Sequence, residues 1–426
     1  MNSPKSPCPF GEQCYRKNPE HFVRYDHCKR KSLDDRNVLS KKISTDKKTK
    51  SPLITNYFQR TKPTNINPSN VSDKIDDDDN HQVNPNPSTS SSSNQKSLDQ
   101  DSLKNLHEKL FLTACPDEIF LFWKFCQKIS RQHPEDAFIE ALGLKLVGPF
   151  DLLNNKLDES HVDSDGNILI HWRYLYDIPE FQTFAIIDPN HHNQLRFESI
   201  TCEYHLGYFR DQPTDCKPLV VSNDSKKSCI INGEGDNIFT TFYSLLADKR
   251  FKSLTKNHHK KNLRQKLETF ASENQINLID TNRLLKQRQQ QIQAPTLHQF
   301  GLIVPITNDN VGYRPLPIND TNLKLLFKRI IELDNDEQRR KCVSMKELQN
   351  IITLIQYAND EKDFGMGLEF GLDLFESGHQ FFHRSSEHLL RQAYEFLDRE
   401  NFSRILHQHL DNDNRHRRQW PNLSAI

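Results

Sequence analysis

Tyr357-Ala-Asn-Asp-Glu-Lys-Asp-Phe-Gly-Met-Gly-Leu-Glu-Phe-Gly-Leu-Asp-Leu-Phe375 separates two helical runs and sets how the C-terminal part of the chain is built. Leu348 to Ala358 leads into it, with Ile351, Ile352, Leu354 and Ile355 spaced to bury one face of a helix. A second helical run starts at Leu368. Between them stand Asp360, Glu361 and Asp363, then Gly365 and Gly367, whose spacing is expected to interrupt a helix and expose backbone. Carboxylates at such a break, flanked by packed apolar segments, are held rigidly and point outward. That arrangement presents a general base or a partner-binding acid. A solvated helix–helix corner is the plainer reading of the same pattern.

Helical signals continue on both sides. Tyr313-Arg314-Pro-Leu-Pro317 breaks the chain from what precedes it, and Asn319-Asp-Thr321 caps a helix running through Leu323, Leu326, Ile330 and Ile331. Runs from Met345, Leu368 and Glu387 complete an all-helical domain over residues 305–412, and residues 413–426, with Arg415-His-Arg-Arg418, read as a flexible tail.

Upstream, residues 102–304 mix the two periodicities. Leu103 to Arg131 is helical, with Pro116-Asp-Glu marking a second helix start. Leu144 to Val147, the alternating and aromatic run Asn167 to Tyr176, Phe181 to Ile187, Tyr204 to Phe209 and Cys229-Ile-Ile231 read as strands, and Asn237 to Leu246 as a helix. Charged amphipathic helices fill residues 250–295. The expected class is α+β, a mixed domain with a mostly antiparallel sheet followed by the helical one. His171, Trp172, His191 and His192 are taken as structural or solvated rather than as ligands. Gly233-Glu-Gly235 is too short for a phosphate loop and lacks its lysine.

The chain has 426 residues, enough for two or three domains, with 57 basic and 57 acidic residues in balance. No whole-protein field therefore points to nucleic acid. The first fifty residues nevertheless hold thirteen Lys or Arg against six Asp or Glu, and Asp76-Asp-Asp-Asp79 is an acidic block. The mean hydropathy of -0.78 reflects long polar tracts. No apolar run has membrane-spanning length and the first residues lack a signal-peptide core, so a soluble intracellular protein is expected. Nine cysteines in such a chain are expected as thiols or metal ligands.

Residues 1–30 hold one such ligand set. Cys8, Cys14, His21 and His27 place two thiolates and two imidazoles within twenty residues, the donor set of a closed structural zinc site. The segment has almost no hydrophobic core, so metal binding would supply most of its folding free energy. Five residues separate the cysteines and six separate Cys14 from His21, leaving no helix to enter a major groove. The pattern Cys8-x-Phe10-Gly11-x-x-Cys14-Tyr15-Arg16-Lys17-Asn18-Pro19-x-His21-x-x-x-Tyr25-x-His27 closely resembles the poly(ADP-ribose)-binding zinc finger. The resemblance implies structural zinc and contacts to ADP-ribose from Tyr15 and Arg16, with Tyr25 a further candidate. An aromatic face suits adenine, and a guanidinium suits pyrophosphate.

Residues 31–101 form a disordered linker rich in basic residues, Ser and Asn. Lys29-Arg-Lys31 with Lys41-Lys42 and Lys47-Lys48 fits either a bipartite nuclear-import signal or a solubilising basic tail. Ser51-Pro-Leu-Ile54-Thr-Asn-Tyr57-Phe58 is an apolar island that resembles the short peptide docking on DNA sliding clamps, with Ser51 where the leading Gln stands.

Longer motifs then fall in order along the chain: Leu121-Phe-Trp123-Lys-Phe-Cys126, Leu142-Gly-Leu-Lys-Leu-Val-Gly-Pro-Phe150, His171-Trp-Arg-Tyr174, Pro179-Glu-Phe-Gln-Thr183, His205-Leu-Gly-Tyr-Phe-Arg-Asp211, Asp309-Asn-Val-Gly-Tyr-Arg314 and Tyr357 to Glu369. Over about 300 residues they resemble the histone PARylation factor family. The resemblance implies an accessory protein, not an independent enzyme. It would bind the catalytic domain of DNA-damage-activated poly(ADP-ribose) polymerase in chromatin in the nucleus, and redirect modification to serine on histones. It places the catalytic glutamate on Glu361, a polymerase-holding acid on Asp360 and the partner-anchoring pair on Tyr313 and Arg314. NAD would be used by the partner polymerase, not bound by this chain, which carries no nicotinamide-binding fingerprint. Two alternatives stay open: a non-catalytic poly(ADP-ribose)-reading adaptor, and a hydrolase using Asp360, Glu361 or Asp363 on ADP-ribose bonds.

Overall fold

The computed structural model describes residues 6–7, 25–26, 99–162, 167–192, 200–251, 257–279 and 282–411. The chain divides into two units, Lys31–Leu98 and the remainder, and all described residues belong to the latter.

α1 (Gln100–Phe111) opens the body, its first turn capped by the Asp99 carboxylate, which accepts from the Ser102 N–H. α2 (Ile119–Ile129) follows. Five strands then form an antiparallel meander: β1 (Leu144–Leu146), β2 (Phe181–Ile187), β3 (Tyr204–Phe209), β4 (Leu219–Asp224) and β5 (Asn232–Gly235), adjacent in that order. Side chains of successive residues leave opposite faces of a strand. Both faces here are covered, and every residue of β2 and β3 is buried.

Phe184, Leu206, Tyr208 and Val220 pack on one face with Phe122 and Phe125 of α2, with Phe242 of α3 (Ile238–Leu245) and with Phe270 of α4 (Asn257–Glu273). Phe181, Phe209 and Val221 pack on the other face, against Phe300, Leu302 and the C-terminal helices. After α5 (Arg283–Gln289) come α6 (Asp320–Ile331), α7 (Asp336–Lys341), α8 (Val343–Asp360), α9 (Phe364–Glu376), α10 (His383–Phe396) and α11 (Glu400–Leu410). Leu368, Leu372 and Phe375 of α9, Leu390 and Tyr394 of α10, and Phe402 and Leu406 of α11 complete that second core. The architecture is α+β with an antiparallel sheet, as expected.

Sequence and structure part in four places. Asn167 to Tyr176 is not a strand: Asn167–Ile170 is a 3-10 turn and the chain then turns again, with Trp172 at φ +58°. Two buried charges override the alternation. The Asp151 carboxylate lies 2.9 Å from His171 Nε2 and accepts from the Trp172 indole N–H at 2.9 Å, while the Arg173 guanidinium donates to the carbonyls of Ile178 and Phe181. Cys229-Ile-Ile231 also lies outside the sheet, since the Ile231 N–H donates to the His298 carbonyl. The strands there are β4, which was not among the expected strands, and β5, which contains Gly233-Glu-Gly235.

Third, Gly365 and Gly367 do not break a helix; both lie inside α9. Fourth, the acids do not all point outward, because Asp363 is buried and the Glu361 side chain is only 7% exposed. The described cysteines, Cys115, Cys126, Cys202, Cys216, Cys229 and Cys342, are free thiols. Among the described residues no helix is long and apolar enough to cross a membrane.

Candidate functional site

α8 ends where its apolar stripe ends. The Lys362 N–H donates to the Asn359 carbonyl and the Asp363 N–H to the Ala358 carbonyl, the paired bonds of a Schellman motif. Lys362 takes the left-handed position at φ +66°, where glycine is usual. The chain therefore stops at Glu361, reverses over two residues and re-enters α9 at Phe364. This reversal, not the glycines, sets the acids apart from one another. Asp360 is exposed, and Glu361 and Asp363 turn inward.

They turn toward the segment between Val304 and Asn319. Gly312, at φ +137°, lies so close to Pro305 that a Cβ would sit 2.1 Å from its carbonyl oxygen, so only glycine fits. Its N–H donates to Asp363 Oδ1 at 2.9 Å, and its carbonyl accepts from the Gly365 N–H at 2.9 Å. Asp363 occupies the N-cap position of α9 yet makes no cap bond, because its carboxylate is taken by this segment. A Cβ on Gly365 would meet the Tyr313 ring and Val304 at 2.9 Å, so this glycine permits close approach within a helix.

Arg314 completes the arrangement. Its Nη2 donates to Glu361 Oε2 at 2.7 Å and its Nε lies 3.2 Å from Asp363 Oδ2. The three side chains are 3%, 7% and 1% exposed. Carboxylates at the C-terminal end of a helix face the negative end of its dipole. A guanidinium held between two of them offsets that cost and fixes the largely buried Glu361 carboxylate, one residue after exposed Asp360 and one turn after half-exposed Tyr357. Tyr313 is half-buried, and its hydroxyl donates to Glu369 Oε2 at 3.0 Å.

α9 carries further buried acids. Burial pushes the Glu369 carboxyl up to about 7, against the opposing pull of its bond to Tyr313 and, to a lesser degree, of the Leu316 backbone. Burial likewise pushes Asp373 well above the usual carboxylate range, although it accepts from the Leu297 N–H at 3.0 Å. Sequence reading assigned no role to Glu369. The available signal was an acid every three or four residues in a helix otherwise apolar all round, which requires buried partners for each.

The structure thus brings Arg314 to Glu361 from nearly fifty residues away, while Tyr313 meets Gly365 and Glu369 of α9 and Asp360 stays exposed beside Glu361 in sequence. Of the finger residues only Tyr25 is described. It is half-buried in the strand Tyr25–Asp26, which pairs in parallel with Ser6–Pro7. That pairing joins the residues immediately before Cys8 and His27 in sequence. Cys8, Cys14, His21, His27, Tyr15, Arg16 and the island at 51–58 lie outside the described residues. Two thiolates and two imidazoles suit a tetrahedral zinc ion. Among the described residues no group of three or more His, Cys, Asp or Glu is placed to hold a metal.

Comparison with known proteins covers both parts of the chain. The family described as Histone PARylation factor 1 matches residues 102–413. The chain belongs to that family. Histone PARylation factor 1 of Mus musculus is 38% identical over 306 residues, 71% of this chain and 84% of the mouse protein. The Bos taurus protein of the same name is 36% identical over 323 residues, 74% and 89% of the two chains, and that of Danio rerio is 39% identical over 309, 71% and 83%. The Histone PARylation factor 1 match contains every residue of the Arg314 site, and a PBZ domain, the second match, covers residues 5–30.

Proposed function

We propose that this chain is an accessory factor for protein ADP-ribosylation. It docks on the catalytic domain of DNA-damage-activated poly(ADP-ribose) polymerase and completes its active site for modification of serine on histones and other proteins. The observation that carries this reading is the Glu361 carboxylate, locked by Arg314 at the end of α8 beside exposed Asp360. Membership of the histone PARylation factor 1 family supports it.

A serine hydroxyl is a weak nucleophile at neutral pH, and a positioned base is worth about 10²–10⁴-fold. Glu361 takes the hydroxyl proton as serine Oγ attacks the ribose C1 of NAD held by the polymerase. The Oγ–C1 bond forms, the bond from C1 to nicotinamide breaks, and nicotinamide leaves as a neutral molecule. Asp360 and the Tyr313–Arg314 segment present the docking face. NAD belongs to the partner, and this chain contributes one carboxylate to a shared site.

Zinc orders the N-terminal finger through Cys8, Cys14, His21 and His27. Tyr15, Arg16 and Tyr25 engage ADP-ribose units, so the factor gathers where polymer accumulates on nuclear chromatin. The PBZ match over residues 5–30 also favours a second reading, a polymer-reading adaptor without a catalytic contribution. The two separate in one experiment. Polymerase, NAD and a histone peptide are incubated with and without the chain and the modified residue is mapped. Serine modification that depends on the chain supports the shared site, whereas unchanged residue choice leaves only the adaptor.

A further inference from the structure

Glu369 lies one turn and a half into α9, and its carboxylate holds the docking segment at Tyr313. Its Oε2 accepts from the Tyr313 hydroxyl at 3.0 Å, and the Leu316 backbone N–H opposes the effect of burial on the same carboxyl. Tyr313 and Leu316 fall on either side of Arg314. Pro315 and Pro317 carry no N–H, so Leu316 supplies the sole backbone donor between Arg314 and Ile318. Nothing else on that stretch of backbone offers a hydrogen to hold it. The Tyr313 ring rests where a Cβ on Gly365 would stand, which fixes the other side of the residue.

Arg314 reaches Glu361 and Asp363 from this clamped segment. We infer that Glu369 is a positioning residue: by holding the Tyr313 hydroxyl it sets where the next residue, Arg314, holds the Glu361 carboxylate and which face Tyr313 offers to the polymerase. The inference rests on the shared-site reading above. The charged and titratable groups that act on Glu369 are Tyr313, Asp320 of α6 and Asp373 one turn further along α9, with Lys324 acting on Asp373. Burial raises Glu369 to about 7, consistent with a group whose task is to accept hydrogen bonds and not to carry charge.

The test uses the full-length chain with Glu369→Gln, Glu369→Leu and Tyr313→Phe, and reads polymerase affinity separately from the serine-modification rate at saturating factor. A glutamine carbonyl oxygen can accept from the Tyr313 hydroxyl in the same way. Glu369→Gln is therefore expected to stay near wild type in both readouts. Glu369→Leu and Tyr313→Phe each lose a hydrogen bond and are expected to weaken docking about three- to tenfold. Glu369→Leu, which removes the buried acceptor itself, is expected to slow serine modification at saturation as well. The double variant should fall short of the product of the single effects, because both remove the same bond.

Wild-type docking and rate in Glu369→Leu overturn the inference. If Glu369→Leu does not fold, Tyr313→Phe decides: unchanged docking with this hydroxyl deletion overturns it too. A Glu361→Gln control keeps the failures apart. If that control keeps full serine modification, the shared-site reading itself is wrong. If it loses modification while Glu369→Leu does not, only the positioning role is lost.

Discussion

Arg314 Nη2 lies 2.7 Å from Glu361 Oε2, and both side chains are more than nine-tenths buried. The same guanidinium is 3.2 Å from Asp363. Removing it strands two buried carboxylates at a helix end, so the loss exceeds that of a surface ion pair. Arg314→Ala is expected to cost about 3 kcal/mol, measured by urea unfolding of the purified chain. Lysine keeps one charge but not the two-sided reach of the planar guanidinium, so Arg314→Lys should recover only part of that. A loss within error of zero would mean that Arg314 does not hold the two acids in solution.

Stability should fall as pH rises through the range set by Glu369. Folded, this carboxyl keeps its proton up to about 7; unfolded, it releases it near its ordinary 4.5. Between those values the folded chain holds more protons than the unfolded one, so raising the pH favours unfolding. The stabilisation is fully present below 4.5 and gone above 7, and it amounts to roughly 3 kcal/mol at most. Glu180, raised to about 7 by burial beside Tyr394, acts in the same direction and is common to wild type and variant. Glu369→Gln should therefore match wild type in acid and exceed its stability at mildly alkaline pH. Parallel curves across that range would show that Glu369 titrates normally.

Lys362 sits at φ +66° to end α8. A side chain in that conformation costs about 1 kcal/mol relative to glycine. Lys362→Gly is expected to raise stability by about that amount without altering polymerase affinity. A drop in affinity with unchanged stability would instead assign the lysine to the docking face.

Zinc removal should separate the two parts of the chain. If the finger folds on zinc as proposed, chelation is expected to abolish poly(ADP-ribose) binding through residues 1–30. The unfolding midpoint of the body should not move, because among the described residues no donor group is placed to hold a metal. Polymer binding that survives complete zinc loss would place the polymer site elsewhere.

Much of this architecture is written locally. β2 and β3 are legible because short runs rich in aromatic and aliphatic residues suit a strand, and the Asn319 cap is legible because its side chain serves its own helix, accepting from the Asn322 N–H. Asn167 to Tyr176 fails for the opposite reason: its conformation is dictated by Asp151, sixteen or more residues upstream, and by Arg173 bonding to carbonyls that follow. At the candidate site the acids at 360, 361 and 363 announce themselves, and their family resemblance separates Asp360 from Glu361. Their inward turn is not legible, because it depends on Arg314 and Gly312 arriving from some fifty residues earlier. The glycines mislead in the same way. Gly365 serves contact with Tyr313, and a Cβ on Gly367 would crowd Ile355 of α8 at 3.3 Å, which no local pattern distinguishes from helix breaking.

On the proposed mechanism, Glu361 acts as the base in a site shared with the polymerase. Its most direct measurement is the serine-modification rate of a histone peptide by purified polymerase and NAD, with saturating wild-type chain or Glu361→Gln. Glutamine keeps the shape and can still accept from Arg314, so docking should remain largely intact while the rate falls about a hundredfold or more. Serine modification by Glu361→Gln at the wild-type rate would contradict the claim.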